Sequence, residues 1–349
     1  VRGQLRFEPS SDLEILLSAD YTDREEDCCM GDYIAVDPAR GPLITLLAGG
    51  DGASAFPIDP FDRVAFANRD ATQTTEDWGV SANIEWQSGL GELTSITSYR
   101  DWENGSGQDT DFSAADLWYR DDETSRDAFA TFSQELRLAG ATDNVDWQVG
   151  VFYANQTLDR TDFITYGNDY FFYFQQLLLG ASGGAFDLSS LPGNIYTGEA
   201  NATADVYEQT ADTYAIFTNN TFSLSDQFDL TVGLRYTIDE KTLESNFNGE
   251  AGSCTTALAV FGPTGGLTPT LCLPWTNDNF VGVSATQDRS DEDLSGTVKG
   301  AYRVSENLMS YASYSRGYKA GGFNLDRSQF GPSDPTPFQP NLDTRFDPE

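Results

Sequence analysis

Long runs of strict apolar–polar alternation constrain this chain more than any other feature. Phe228, Leu230, Val232, Leu234, Tyr236 and Ile238 alternate with Asp229, Thr231, Gly233, Arg235, Thr237 and Asp239. Trp78, Val80, Ala82, Ile84 and Trp86 alternate with Gly79, Ser81, Asn83, Glu85 and Gln87. Val145, Trp147, Val149, Val151 and Tyr153 oppose Asp146, Gln148, Gly150 and Ala154, with Phe152 out of phase. Leu294, Val298, Tyr302 and Val304 oppose Lys299 and Arg303. Successive side chains of a strand point to opposite faces, so a period of two means one apolar and one polar face. The stretch 92–102 alternates too poorly for its faces to be assigned. Length then separates a soluble sheet from a membrane one. Sandwich strands run to about five or six residues, whereas a tilted strand crossing a bilayer needs about nine to eleven. The runs 13–24, 124–139, 145–160, 210–224 and 228–244 reach the longer figure. Their apolar faces are expected to meet lipid.

Composition agrees. The hydrophobic share is 39% while aromatics reach 13%, and the longest apolar runs, such as Leu177–Leu179, are far too short for a membrane helix, which needs about eighteen or more residues. A barrel escapes that test because alternate residues face the lumen. Trp78, Trp86, Trp102 and Trp147 fall near strand ends, where an interfacial girdle wants them. A net charge of −35 argues against nucleic acid as a partner, since phosphate recognition needs clustered Lys and Arg. Most acids are expected in solvated loops. Short polar turns at 8–12, 87–91, 140–144, 223–227 and 304–307 alternate with long segments at 25–76, 103–123, 161–206, 245–288 and 320–349. Short turns on one side and long loops on the other are the asymmetry of an outer-membrane barrel. The reading is an all-β, antiparallel transmembrane β-barrel segment of about ten long strands in one domain, 1–349. Its short turns are periplasmic and its long loops extracellular, with a loop helix expected over 171–179.

Several segments resemble one family. Tyr311-Ala312-Ser313-Tyr314-Ser315-Arg316-Gly317-Tyr318-Lys319-Ala320-Gly321-Gly322-Phe323-Asn324 resembles the strand-and-loop segment common in TonB-dependent receptors. Phe132-Ser133-Gln134-Glu135-Leu136-Arg137-Leu138 and Val232-Gly233-Leu234-Arg235-Tyr236-Thr237 are similar to two of their recurring strands, and Phe346-Asp347-Pro348-Glu349 to the start of a third segment. The resemblance implies a barrel of 22 strands closed by an N-terminal plug. It implies transport of a scarce solute such as a ferric siderophore, with energy from the TonB complex acting through the plug. Outer-membrane lipid is the other partner, and no cofactor is called for. The chain starts at Val1 and carries neither plug motifs nor all of those strands, so it is expected to be the barrel portion of a longer receptor. A passive porin-like channel and a surface adhesin or structural barrel are the alternatives.

Ligand contacts are expected on the long loops. Trp118, Tyr119 and Arg120 combine rings with a guanidinium able to grip an anion. Phe171, Phe172 and Tyr173 belong to an aromatic run that either stacks on a flat ligand or packs the loop's own core. Arg316 and Lys319 are candidates to line an anionic path. Arg235, Lys299 and Arg303 on the polar face are expected to pair with acids such as Asp229 and Asp239. The acidic clusters Asp23 to Asp27 and Asp288 to Asp293 lack calcium-loop spacing and read as solvated. Cys254 and Cys272 enclose a Gly, Pro and Thr-rich stretch and are expected to form a disulfide stapling one loop; adjacent Cys28 and Cys29 have no assigned role, beyond a soft-metal site with Met30 as a minor alternative. With no His in the sequence, Ser-His-Asp and Cys-His chemistry is impossible. No enzyme is expected.

Overall fold

The computed structural model describes residues 1–27, 30, 31, 33–36, 38, 41–49, 56, 59, 61, 64–181, 183–185, 200–250, 253–265, 268–331 and 333–349. Cys28 and Cys29 lie outside the described residues. Twelve strands form one sheet: β1 (Arg2–Ser10), β2 (Leu13–Asp27), β3 (Thr72–Ser88), β4 (Gly91–Ser106), β5 (Gln108–Asp109), β6 (Trp118–Arg120), β7 (Arg126–Ala141), β8 (Val145–Tyr166), β9 (Asn201–Ser225), β10 (Phe228–Phe247), β11 (Val283–Ser305) and β12 (Leu308–Arg316). The ten long strands pair antiparallel in chain order, β1-β2-β3-β4-β7-β8-β9-β10-β11-β12, while β5 and β6 form a small pair laid against the end of β8. This is a meander with tight turns at one end, all five where the sequence places them. At one of these, Gly91 has φ +139°, and a Cβ there would lie 2.3 Å from the Ala139 carbonyl oxygen. Only glycine fits.

Register explains the alternation. Phe7, Ile15, Ile84, Ser95, Leu136, Val151, Ile216, Tyr236 and Leu294 pair successively across nine strands and form one continuous row. Its members are apolar or aromatic except Ser95. Several are largely open to the surroundings, among them Val151 at 48% and Ile216 at 55%. In water such a band would be a large aggregation-prone patch; against lipid it is the required surface. Ser95 is tolerated because Gln134 donates to its hydroxyl and accepts from Thr97, so these polar groups satisfy one another where lipid cannot. That exchange makes the outward face of β4 polar in sequence and hides its period. Trp102 departs from expectation. Its row, Asp77–Trp102–Phe129, lies on the face of Arg100, and its ring packs 6.3 Å from Phe129.

The opposite face is polar. Arg100 reaches across Gly79 to Asp20 and Asp77, and Arg303 binds Asp229 at 2.5 Å. Arg235 and Asp239, expected as partners, are engaged elsewhere. Arg235 donates to Thr237 and lies over the rings of Phe152 and Phe217, and Asp239 accepts from Thr213. Phe152, out of phase in sequence, is a ring for Arg235 to lie on. Lys299 lies over Tyr311, 5.4 Å from its centroid.

Above the lipid band the strands continue and their faces exchange character. Along β10, Leu234 and Tyr236 are outward and exposed, but beyond Ile238 the outward positions are Glu240, Thr242, Glu244 and Asn246, the three other than Thr242 exposed. The inward positions become Leu243 and Phe247, both buried. Here the inside is a protein core and the outside is water. Asp288 to Asp293 belongs to the same region of β11, so its acids go to alternate faces, with Asp291 bound by Arg289 and Asp293 by Arg316.

The loops pack on this upper inward face. They carry α1 (Gly41–Leu47), α2 (Tyr170–Ala181), α3 (Ser253–Phe261) and α4 (Thr268–Leu271). Cys254 and Cys272 are bonded and join α3 to the end of α4. The C-terminal segment folds back as two small pairs, Gly322–Phe323 with Arg345–Phe346 and Ser328–Gln329 with Pro340–Asn341. Arg327 anchors it by two 2.7 Å bonds to Asp205 of β9, in a site where both side chains are 2% exposed. No helix among the described residues is long and apolar enough to cross a membrane.

Candidate functional site

The aromatic run at 170–174 divides once it is helical. Positions four apart share a helix face, so Tyr170, Phe174 and Leu178 form one buried stripe with Ile164, Tyr166, Ala257 and Phe338. Tyr173 lies on another side, in a second cluster with Ile44, Ala115 and Leu117. Phe171 packs against the first cluster, and Phe172 is 46% exposed.

Trp118, Tyr119 and Arg120 sit on β6, whose pairing with β8 sets Trp118 beside Tyr166 and Tyr119 beside Thr165. The Trp118 ring lies 5.1 Å from Tyr170 and 6.5 Å from Tyr173. Arg120 donates to Asp162 at 2.9 Å. Arg69 stacks 3.5 Å over Tyr119 while binding Asp116 through two hydrogen bonds.

The loop between β5 and β6 is held by two buried carboxylates. Asp109 accepts from the backbone N–H groups of Asn68, Asp111 and Phe112. Asp111 accepts from those of Ser113, Leu117 and Trp118 and from the Ser113 hydroxyl. Phe112, at φ 54°, takes the left-handed conformation that this turn requires. Burial, and then the neighbouring Asp109 carboxylate, pushes Asp111 up to about 7. Burial also raises Tyr33 to about 12, so it remains a donor, and its hydroxyl binds the Asp111 carbonyl.

These pieces wall a cleft of about 780 Å³, within the size range of small-molecule sites. Trp118, Arg120 and Tyr173 line it together with Tyr33, Phe56, Asp111 and Trp275. Tyr119, Phe171 and Phe172 do not line it. Arg316, bound to Asp293 at 2.6 Å, and Lys319, 3.4 Å from Glu349, lie at the far edge of the sheet by β12. Tyr33, Phe56, Asp111 and Trp275 have no sequence signature, because four separate segments bring them together. Two other concavities, of about 630 and 410 Å³, lie between outward side chains such as Leu17, Val80 and Tyr99, or Leu136, Val151 and Tyr214. Those lie on the outward apolar face of the sheet.

The family model described as TonB dependent receptor-like, beta-barrel matches residues 32–349. The chain belongs to this family of receptors, and its sheet is a transmembrane one of the bacterial outer membrane. Among solved structures it is similar to the ferric yersiniabactin uptake receptor FyuA of Yersinia pestis, at TM-score 0.57 and 14% identity, covering 99% of this chain and 40% of that one. It is also similar to the ferric-catecholate import receptor Fiu of E. coli K12, at 0.52 and 13%, covering 90% and 46%. A third likeness is the siderophore receptor PiuA of Acinetobacter baumannii, at 0.51 and 13%, covering 95% and 42%. The chain thus spans less than half the length of these proteins. Among curated proteins, none matches the sequence.

Proposed function

We propose that this chain is part of a receptor that captures a scarce solute at its extracellular loops, and that the solute is a ferric siderophore. The observation that carries the reading is the aromatic cleft on the inward, upper side of a lipid-facing sheet, where a solute arriving from outside would first meet shaped protein. Family membership supports a receptor, and the iron and siderophore uptake of FyuA, Fiu and PiuA makes iron chelates the first solutes to try. In this reading further strands close the barrel beyond β1 and β12, a plug blocks it, and the TonB complex supplies the energy. Residues 1–349 then form a partial β-barrel domain.

The test uses the full-length gene in a deletion strain under iron limitation. Growth on at least one ferric siderophore is expected to require the gene and to fall when Trp118→Ala is introduced at normal surface abundance. Uptake of every iron chelate unchanged by deletion would discard the reading.

A further inference from the structure

Around the cleft, among the described residues, each positive charge is already engaged by an acid. Arg120 is bound by Asp162 at 2.9 Å. Arg69 is bound by Asp116 at 3.0 Å, and Arg160 lies 3.9 Å from the same Asp162 and 3.8 Å from Asp127. Asp109, Asp111 and Asp169 add carboxyl groups held by backbone N–H groups and, for Asp111, the Ser113 hydroxyl. A polyanionic ligand would have to take Arg120 from Asp162, which is 9% exposed. That would leave Asp162 only the more distant Arg160, and an under-paired buried carboxylate is costly. Much of the remaining wall is apolar, with ring surface from Tyr33, Phe56, Trp118, Tyr173 and Trp275 beside aliphatic side chains such as Ile44 and Leu273. Aromatic faces are negative at their centres, so they favour flat neutral groups and cations over anions. The whole chain, with 55 acids against 20 Lys and Arg, adds a field that repels anions at long range.

We infer that the cleft takes a ligand of zero or positive net charge; for an iron chelate, a neutral tris-hydroxamate complex and not a trianionic tris-catecholate one. This rests on the capture reading above and narrows it to a charge class. The likeness to Fiu, at 13% identity, is one of fold and does not carry that protein's ligand over.

The full-length receptor in detergent micelles is titrated with a neutral ferric tris-hydroxamate and a trianionic ferric tris-catecholate, following tryptophan fluorescence. The neutral chelate is expected to bind at least about ten-fold more tightly, with affinity changing less than about two-fold between roughly 50 and 500 mM salt. Trp118→Ala should weaken it by about ten-fold or more, and Trp275→Ala serves as a second wall variant should the first not fold. Equal or tighter binding of the trianion overturns the charge inference and leaves siderophore capture standing. Binding of neither chelate overturns both.

Discussion

Arg327 and Asp205 hold each other in a dry site. Removing one partner there leaves a bare charge, which typically costs about 3–5 kcal/mol. Arg327→Met should therefore destabilise the intact receptor by that amount and release the C-terminal segment to thermolysin. The double change with Asp205→Leu should recover most of the loss, as read by thermal unfolding. Asp111 governs a different residue-scale effect. Its unfolded value is 3.8 and its folded value about 7, so between the two the folded loop binds more protons than the unfolded one. Stability from this group is complete at low pH and is lost as pH rises through the window. Asp109, also raised by burial, shares the step. Amide exchange in residues 107–118, corrected for intrinsic rates, should quicken from roughly pH 4 to 7, and Asp111→Asn should flatten that dependence.

Along one strand the environment changes, and β10 offers a direct measure of where. Leu234 and Glu244 share its outward face, but the first lies in the lipid band and the second above it. Leu234→Arg should cost about 2–4 kcal/mol in folding into lipid vesicles, and Glu244→Arg close to nothing. Equal penalties would move the membrane boundary. The same exchange of faces explains what was legible in the sequence. Lower halves of strands carry one continuous apolar face and read clearly, as do the five turns and the helix near 171–179. Upper halves swap core and solvent sides, so 161–206 reads as loop although β8 runs to Tyr166 and β9 starts at Asn201. β4 stayed opaque because Ser95, Thr97 and Gln134 satisfy one another in the lipid band. The cleft was legible only in part. Trp118, Arg120 and Tyr173 stand out as loop aromatics and a cation, but Tyr33, Phe56 and Trp275 join them only through the docking of β6 on β8 and of distant loops on α2.

At the scale of the molecule, the loops behave as a single cap. One cluster joins Ile164 and Ala202 of the sheet to α2, to the disulfide-linked α3 and α4, and to Phe338 of the C-terminal segment. Cys254→Ser with Cys272→Ser opens a link spanning 18 residues and should weaken the cap by about 2–4 kcal/mol. Proteolysis should then rise together in α2 and near Phe338, leaving the strands protected; cleavage confined to 254–272 would mean that the loops move separately. The reversal of faces along β10 has a further consequence. This strand is written in two dialects, greasy-outside below and greasy-inside above, joined without a break in the backbone ladder. The crown of this protein can therefore be redesigned by the rules for a water-soluble domain while its stem obeys those of a bilayer, and a loop graft keeps its register only if it is spliced above the crossing point.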